Sequence, residues 1–593
     1  MDTESLATGA VEKAIAQTDY LTPYISSKDK EPVWDGGIYA YHHASQYHSN
    51  DDLAGRVPIQ VKGHITANPD KEEVSFPIKI DDLRNYLVEG GTIFFVVYFD
   101  TDGNNEKIYY KCLLPFELKR ILREADEQAS KTIHLRPFPT DKKEKSNIFL
   151  NFIRDRDQQR ACIRSDMVTL EDIAKTGRIP ELTIGYTCVD GSNTSIFENM
   201  ITHGMYLYAK LDFGVVLPVE HFENITMAGA RIEKPVMVGN TQYYESYEKI
   251  YKPNKVVELC FGKNTVLTLY RKENKQTLNF SLKGTLSERI KDLRFIIAAF
   301  EYGGFQVGES FFSYSDAIPN DLARFDLESR KKVLSVLEKV KSVLDKMDVQ
   351  GDLELDNISN SDLKNLDLLV AAVADGQLVP LPDTGSPFGY FNINNLKLII
   401  CAIKDSTTGK YKIYNFFDAP IVLRCPDIEG IEHNCPLCAI LSKEMLFNTC
   451  NINCTKIIEE LRSAENSPIF SDIVVKLLLE VLLAYDEASQ KKPILLDLAD
   501  EIINVIKKRN LDVPPEITRL NELQIQKRKR DLTVNECEEL VRIAESNEYD
   551  EESIIGAYLL LDNHMAAKLH FEKIDADRQN RFRSFPIYRF WPH

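Results

Sequence analysis

The chain reads as a multidomain α+β protein with an N-terminal α/β domain built on a mixed sheet, a β-rich middle domain and an α-helical C-terminal region. Three observations predict this. At 593 residues it exceeds what one hydrophobic core organises. Its periodicity changes along the chain, from alternating helix and strand, to runs of strands, to helices. Its composition, 44% hydrophobic and 27% charged, is that of a globular protein with ordinary cores.

In the N-terminal part the pattern predicts a helix over 3–18 and strands over 36–42 and 57–65. "VSFPIKI" (74–80) reads as a third strand, "DDLRNYLVEG" as a short helix and "TIFFVVYFD" as a buried strand. "DGNN" turns into the strand "KIYYKCLL", and "PFELKRILREA" opens a helix with Pro at its first position. The charged segment "PTDKKEKSN" (139–147) reads as a domain boundary.

The β-rich domain, 150–310, takes "LTIGYTCV", "MYLYAKLDF", "KVVELCF", "TVLTLYRK" and "QTLNFSLKG" as strands and "LSERIKDLRFIIAAFEYG" as a helix. Residues 311–454 hold a long helical pattern over 320–349, a hairpin in "LKLIICAIKDSTTGKYKIYNFF" with Thr-Gly at its turn, and a cysteine cluster. From 455 to 593 almost everything reads as helix. The last segment has a small-and-large rhythm but no fixed period, so we expect a helical tail and not a repeat array.

No apolar run reaches the length of a membrane span, and the acidic start "MDTESLATGAVEKAIAQ" has no hydrophobic signal region. The expectation is a cytoplasmic protein with no membrane partner. A formal net charge of −18 argues against nonspecific coating of nucleic acid but leaves room for a local basic cleft. The eleven cysteines form no extracellular disulfide framework.

Chemistry concentrates in "EPVWDGGIYAYHHASQYHSNDDLAGRVPIQVKGHI" (31–65). Asp35 stands at the mouth of one strand, beside glycines that leave room at the backbone. Gln60 and Lys62 are two apart, so a strand projects both from one face. If the two strands are neighbours, the three side chains converge. An acid and a lysine at one point suit phosphodiester hydrolysis, which needs an activated water and an offset for charge building on phosphate. His42 and His43, adjacent on a strand, point to opposite faces; with His48 they read as polar rim residues.

Trp34-Asp35-Gly36-Gly37 followed by Gln60-Val61-Lys62 resembles the D…(E/Q)xK signature of PD-(D/E)XK restriction-like nucleases. The order of helix, strands, "FPIKIDDLRNYL" helix and "TIFFVVYF" strand is similar to the core of that superfamily. A closer resemblance is to a prokaryotic, defence-associated domain family with a D…QxK signature, through "IQVK" and "IYYKCLLPF". It covers about residues 1–125, giving a restriction-endonuclease-like domain over 1–140.

The resemblance implies that Asp35 ligates Mg²⁺ (or Mn²⁺) with Gln60 and the Val61 carbonyl, and that Lys62 is the catalytic lysine. Gln60 departs from the acid that most members carry, and an amide oxygen is a weaker partner for a hard cation. Glu12 stands where an acid of the first helix would compensate. The helical count, however, sets it away from the apolar stripe of Leu6, Ala7, Ala10, Val11 and Ala14, with Glu4 nearer the edge.

Cys435, Cys438, Cys450 and Cys454 have a spacing that can close a structural Zn²⁺ site; the alternative is cysteines packed as core. "QKRKRD" (526–531) and "DKKEK" (141–145) read as solvated faces or linkers, with DNA-backbone contact as the functional alternative. No Gly-rich phosphate loop with Lys-Ser or Lys-Thr occurs, so an NTP-driven step would need a partner ATPase or defence protein.

The leading expectation is therefore a metal-dependent nuclease acting on DNA in prokaryotic antiviral defence, with homo-oligomerisation open. The alternative is a catalytically degenerate scaffold or sensor that keeps the nuclease fold to bind nucleic acid or a protein.

Overall fold

A computed structural model of the chain describes residues 2–592 apart from 26–32, 104, 127, 176–179, 190–194, 211–214, 314–325 and 489–491. Parts of three expected elements lie outside the described residues: the turn at Asn104, the end of the "MYLYAKLDF" strand and the start of the 320–349 helix.

The N-terminal sheet contains β1 (Leu21–Ile25), β2 (Gly36–Tyr41), β3 (Leu53–Ile65), β4 (Val74–Lys79), β5 (Thr92–Phe99), β6 (Glu106–Leu113) and β7 (Ser130–Pro137). Their order is β1-β2-β3-β5-β6-β7-β4. β3 pairs parallel with β5, and the other neighbours pair antiparallel, so the sheet is mixed as expected. The passage from β3 to its parallel neighbour needs a crossover, which helix α2 (Ile80–Val88) supplies. β5 is buried along its whole length and reads as a continuous apolar run for that reason.

The two faces of the sheet carry separate cores. On one, helix α1 (Thr3–Ala16) sets Ala7, Val11 and Ile15 against Val57, Ile59, Val61, Ile93 and Phe95. On the other, α2 and helix α3 (Pro115–Ala125) set Leu83, Tyr86, Leu118 and Ile121 against Phe94, Val96 and Tyr109.

The segment expected to be a boundary is a helix. α4 (Lys142–Gln158) begins at Asp141, whose side chain accepts from the Glu144 N–H. Its Phe149, Phe152 and Ile153 enter the same core as α1. Its first turn, Lys142 to Lys145, is wholly charged, which is why the sequence reads as a linker there. Helices α5 (Leu170–Lys175) and α6 (Ile196–His203) and strands β8 (Glu181–Thr183), β9 (Met205–Lys210) and β10 (Val216–Phe222) follow. Tyr206 and Tyr208 of β9 join the N-terminal core, which therefore extends past the expected limit near 140.

A separate strand-rich core lies beyond. Strands Ala228–Ile232 and those between Tyr247 and Phe280 form an antiparallel five-stranded sheet that packs, with a four-stranded sheet and the helix Leu286–Tyr302, around Phe261, Phe295 and Phe305. The expected hairpin is present as Leu396–Lys404 and Tyr411–Asn415, with Phe388–Ile393 completing three strands. From Cys454 to Arg583 the described residues form eight α-helices. Cys438 packs in the core of these helices, so the cysteine region and the helical region are continuous. Among the described residues no helix is long and apolar enough to cross a membrane.

The cations of the basic run at 526–531 are tied to carboxylates within the chain, with Arg528 buried and Lys529 and Arg530 on the solvated face that the sequence predicts. Arg528 bonds both carboxylate oxygens of Asp486 at 3.0 and 2.6 Å and the Pro586 carbonyl at 2.9 Å, with its side chain 2% exposed. Lys527 pairs with Asp562, Lys529 with Asp497 and Asp500, and Arg530 with Glu536. The run thus ties several C-terminal helices together. Arg528→Ala should lower stability by about 2 kcal/mol, because it removes buried charge-assisted hydrogen bonds to Asp486, which Arg589 still pairs. Lys529→Ala, at a wetter pair, should cost within about 1 kcal/mol. Urea unfolding followed by Trp591 fluorescence measures both, in a Trp34→Phe background. DNA affinity should stay unchanged in either variant.

Candidate active site

Asp35 reaches its position through two backbone requirements. Gly36 has φ of +147°, and a Cβ there would lie 2.3 Å from the Tyr24 carbonyl oxygen, so the close approach of β1 to β2 demands glycine. Just upstream, Val33 holds φ of +81°, a conformation that costs a β-branched residue about 1–3 kcal/mol. The Asp35 N–H then donates to the Ile59 carbonyl at 3.2 Å, pinning the residue beside β3.

The carboxylate turns inward. Its Oδ2 accepts from Gln60 Nε2 at 2.5 Å and from the Val61 N–H at 2.8 Å. Asp35 and Gln60 are each 5% exposed. Lys62 projects from the same face of β3 as Gln60 and stands exposed at the rim, with no ion-pair partner among the described residues. A cleft of about 340 Å³ unites Asp35, Gln60 and Lys62 with Trp34, Lys79 and Asp82. Tyr86 lines it too; burial, followed by the charges of Asp82 and Asp35, raises its pKa, so the hydroxyl stays protonated. Trp34 Nε1 is buried in the wall without an acceptor among the described residues.

This brings together the three residues that the sequence singles out on adjoining strands. It does not bring Glu12. α1 packs on the opposite face of the sheet, where Glu12 is exposed. Asp82 is the second acid that sequence reasoning missed; it opens α2, and its only signal is its place in "KIDDLRNYL". The histidines gather elsewhere: His43 Nδ1 lies 2.6 Å from Asp52, and His48 stacks on Tyr41 with ring centroids 3.8 Å apart.

The chemistry of the donors fits a hard cation. Oδ1 of Asp35, Oε1 of Gln60 and Asp82 are oxygen donors in one cleft, and Mg²⁺ retains several waters while needing one or two carboxylates. The expected zinc set is not assembled. Cys438 is fully buried with its N–H on Glu460, Cys450 Sγ donates to the Lys397 carbonyl, and Cys435 lies beside Cys425. Burial raises the thiol pKa of all four, as core cysteines require.

Among the described residues, the one group of three His, Cys, Asp or Glu ligand atoms within 4.8 Å of one another is Glu117, His221 and Glu223. Its carboxylates are already matched by cations: Arg120 lies 2.7 Å and Lys111 3.7 Å from Glu117, and Lys111 also pairs with Glu223. We read it as an ion-pair network joining α3 to β10.

Comparison of the chain with protein-family models, curated proteins and solved structures finds no match.

The Glu117 network makes the N-terminal unit acid-sensitive. Burial raises the Glu117 pKa, but the hydrogen bond from His221 and the charges of Lys111 and Arg120 outweigh it and hold it near about 2. A carboxylate held below its ordinary value stabilises the fold fully above about 4.5, and that contribution is lost as pH falls towards about 2. Glu117→Gln should cost about 3 kcal/mol at pH 7 and flatten the decline below pH 4.5. Urea unfolding followed by Trp34 fluorescence in a Trp591→Phe background, repeated from pH 7 to pH 3, measures both effects.

Proposed function

We propose that the chain is a metal-dependent nuclease that hydrolyses phosphodiester bonds, with DNA as its substrate, in prokaryotic defence. One observation carries the reading: a buried carboxylate, Asp35, and an unpaired ammonium, Lys62, open into one cleft at adjoining strands. The defence setting rests on the resemblance of "WDGG" and "IQVK" to restriction-like nucleases.

In this reading Asp35, with Gln60 and Asp82, holds Mg²⁺ or Mn²⁺. Bound there, the ion supplies Lewis-acid polarisation of the phosphate and a more acidic water. Lys62 orients the attacking water and meets charge developing on the phosphate oxygens. Lys79 adds positive charge along the cleft, and the Trp34 N–H offers a further donor in the wall. These cations supply locally what the net charge of −18 withholds globally.

A second reading, a catalytically degenerate scaffold or sensor, is favoured by the bond from Gln60 Nε2 to Asp35, which closes the pair on itself.

Supercoiled plasmid incubated with the full chain and Mg²⁺ or Mn²⁺ should be nicked or linearised, and excess chelator should stop this. Lys62→Ala should slow cleavage by about 10²-fold or more with unchanged unfolding. Asp35→Asn should lose cleavage and keep DNA binding at fixed salt, since a negative charge beside the phosphate has gone. Equal cleavage rates in wild type and both variants overturn the assignment. A wild type that binds DNA without cutting it, in either metal, establishes the scaffold reading.

A further inference from the structure

A second cavity, of about 70 Å³, lies on the other side of the N-terminal sheet, between β6, α4, α6 and β9. Four side chains that line it carry buried polar atoms with no hydrogen-bond partner among the described residues: Arg154 Nη1, Tyr186 Oη, His203 Nε2 and Tyr206 Oη. Four such atoms on one cavity call for a partner within it, water or ligand, since each unmet buried donor costs stability.

All four can donate. His203 Nδ1 lies 3.4 Å from the Tyr110 hydroxyl, and with that nitrogen accepting, Nε2 carries the proton. Burial, with the nearby Arg136 charge, lowers the His203 pKa to about 3, so the ring is neutral at pH 7. Tyr206 is 7% exposed, and burial raises its pKa, so its hydroxyl keeps its proton. Arg154 spends Nε and Nη2 on Asp155, leaving Nη1.

The charges around the cavity are unequal. Arg154 is matched by Asp155, and Lys111 by Glu223. Arg136, the third cation, bonds only the Thr202 and His203 carbonyls, at 2.7 and 2.8 Å, and sits over the Tyr110 ring. The lining therefore carries one cation in excess. The space, about 70 Å³, has room for a few waters or for one small tetrahedral oxyanion. We propose that this cavity binds a phosphate group, held by Tyr206, Tyr186, His203 and Arg154 and neutralised by Arg136. The site is separate from the Asp35 cleft and does not depend on the nuclease reading.

The test titrates inorganic phosphate into the full chain by calorimetry, against sodium chloride at matched ionic strength, with glycerol 3-phosphate as a second arm. Saturable binding of either phosphate is expected. Tighter binding of the ester identifies a phosphate-bearing small molecule, and equal or weaker binding identifies the free ion. Tyr206→Phe keeps the ring stacked on His221, at 4.0 Å between centroids, and removes only the unmet hydroxyl. It should weaken binding about tenfold, as should Arg154→Lys, while the unliganded melting temperature of Tyr206→Phe stays at or above that of wild type. Heat no greater than with chloride in both arms overturns the proposal and leaves the cavity to water. Unchanged affinity in both folded variants overturns it as well, by placing the phosphate elsewhere.

Discussion

A backbone N–H inside a buried sheet must find an acceptor, and that of Val61 has none on the next strand. β2 ends its pairing at Gly36↔Ile59, while β3 runs on beside β5 to Ile65. The Asp35 carboxylate fills the gap, accepting from Val61 where a carbonyl of β2 would otherwise stand. The aspartate is therefore held by the sheet itself and not by a loop. Gln60 and Lys62 then share its cleft because the strand's period of two leaves Val61 facing the α1 core. Everything in the candidate site follows from the change of partner at Ile59.

That arrangement was legible because it rests on local rules: alternation along "IQVK", and Asp-Gly-Gly at a strand mouth. What was hidden depends on which elements meet. No count along α1 tells which face of the sheet it covers, so Glu12 looked available and is not. β7 was missed because "SKTIHLRP" buries only Ile133 and Leu135, too little alternation to stand out beside its turns. α4 was hidden by its charged first turn, although Lys145 there reaches the Ala14 carbonyl at 3.0 Å. Cysteine spacing misled for the same reason, since Cys450 and Cys438 answer to partners about 50 and 20 residues away in sequence, and not to each other.

Charge needs the same care. The run at 526–531 is the densest basic segment of the chain, and the fold spends its lysines and arginines on named carboxylates. Lys62 sits in no such run, and its ammonium has no ion-pair partner among the described residues at the rim of a cleft. For recognition of an anion, the second kind of cation counts, because a paired charge presents little field beyond its partner. Arg136, held by two carbonyls and the Tyr110 ring and by no carboxylate among the described residues, belongs with Lys62 in this respect.

Gln60 is where the two functional readings diverge, and its physical effect can be argued from the bond it makes. An acid at this position would set two carboxylates within hydrogen-bonding distance in a buried strand, and one would have to stay protonated or face the other's charge. The amide removes that repulsion and turns it into a donor bond to Asp35, so the strand pair is stable without a cation. The same change weakens the site as a ligand set, because a cation must displace that bond and gains one formal charge fewer in return. An amide can answer by rotating half a turn, presenting Oε1 where Nε2 stood, at no cost in packing. Gln60 thus shifts the balance from tight metal binding towards a self-sufficient fold. A site of that kind would engage its cation most strongly when a bound phosphate adds the negative charge that Gln60 lacks.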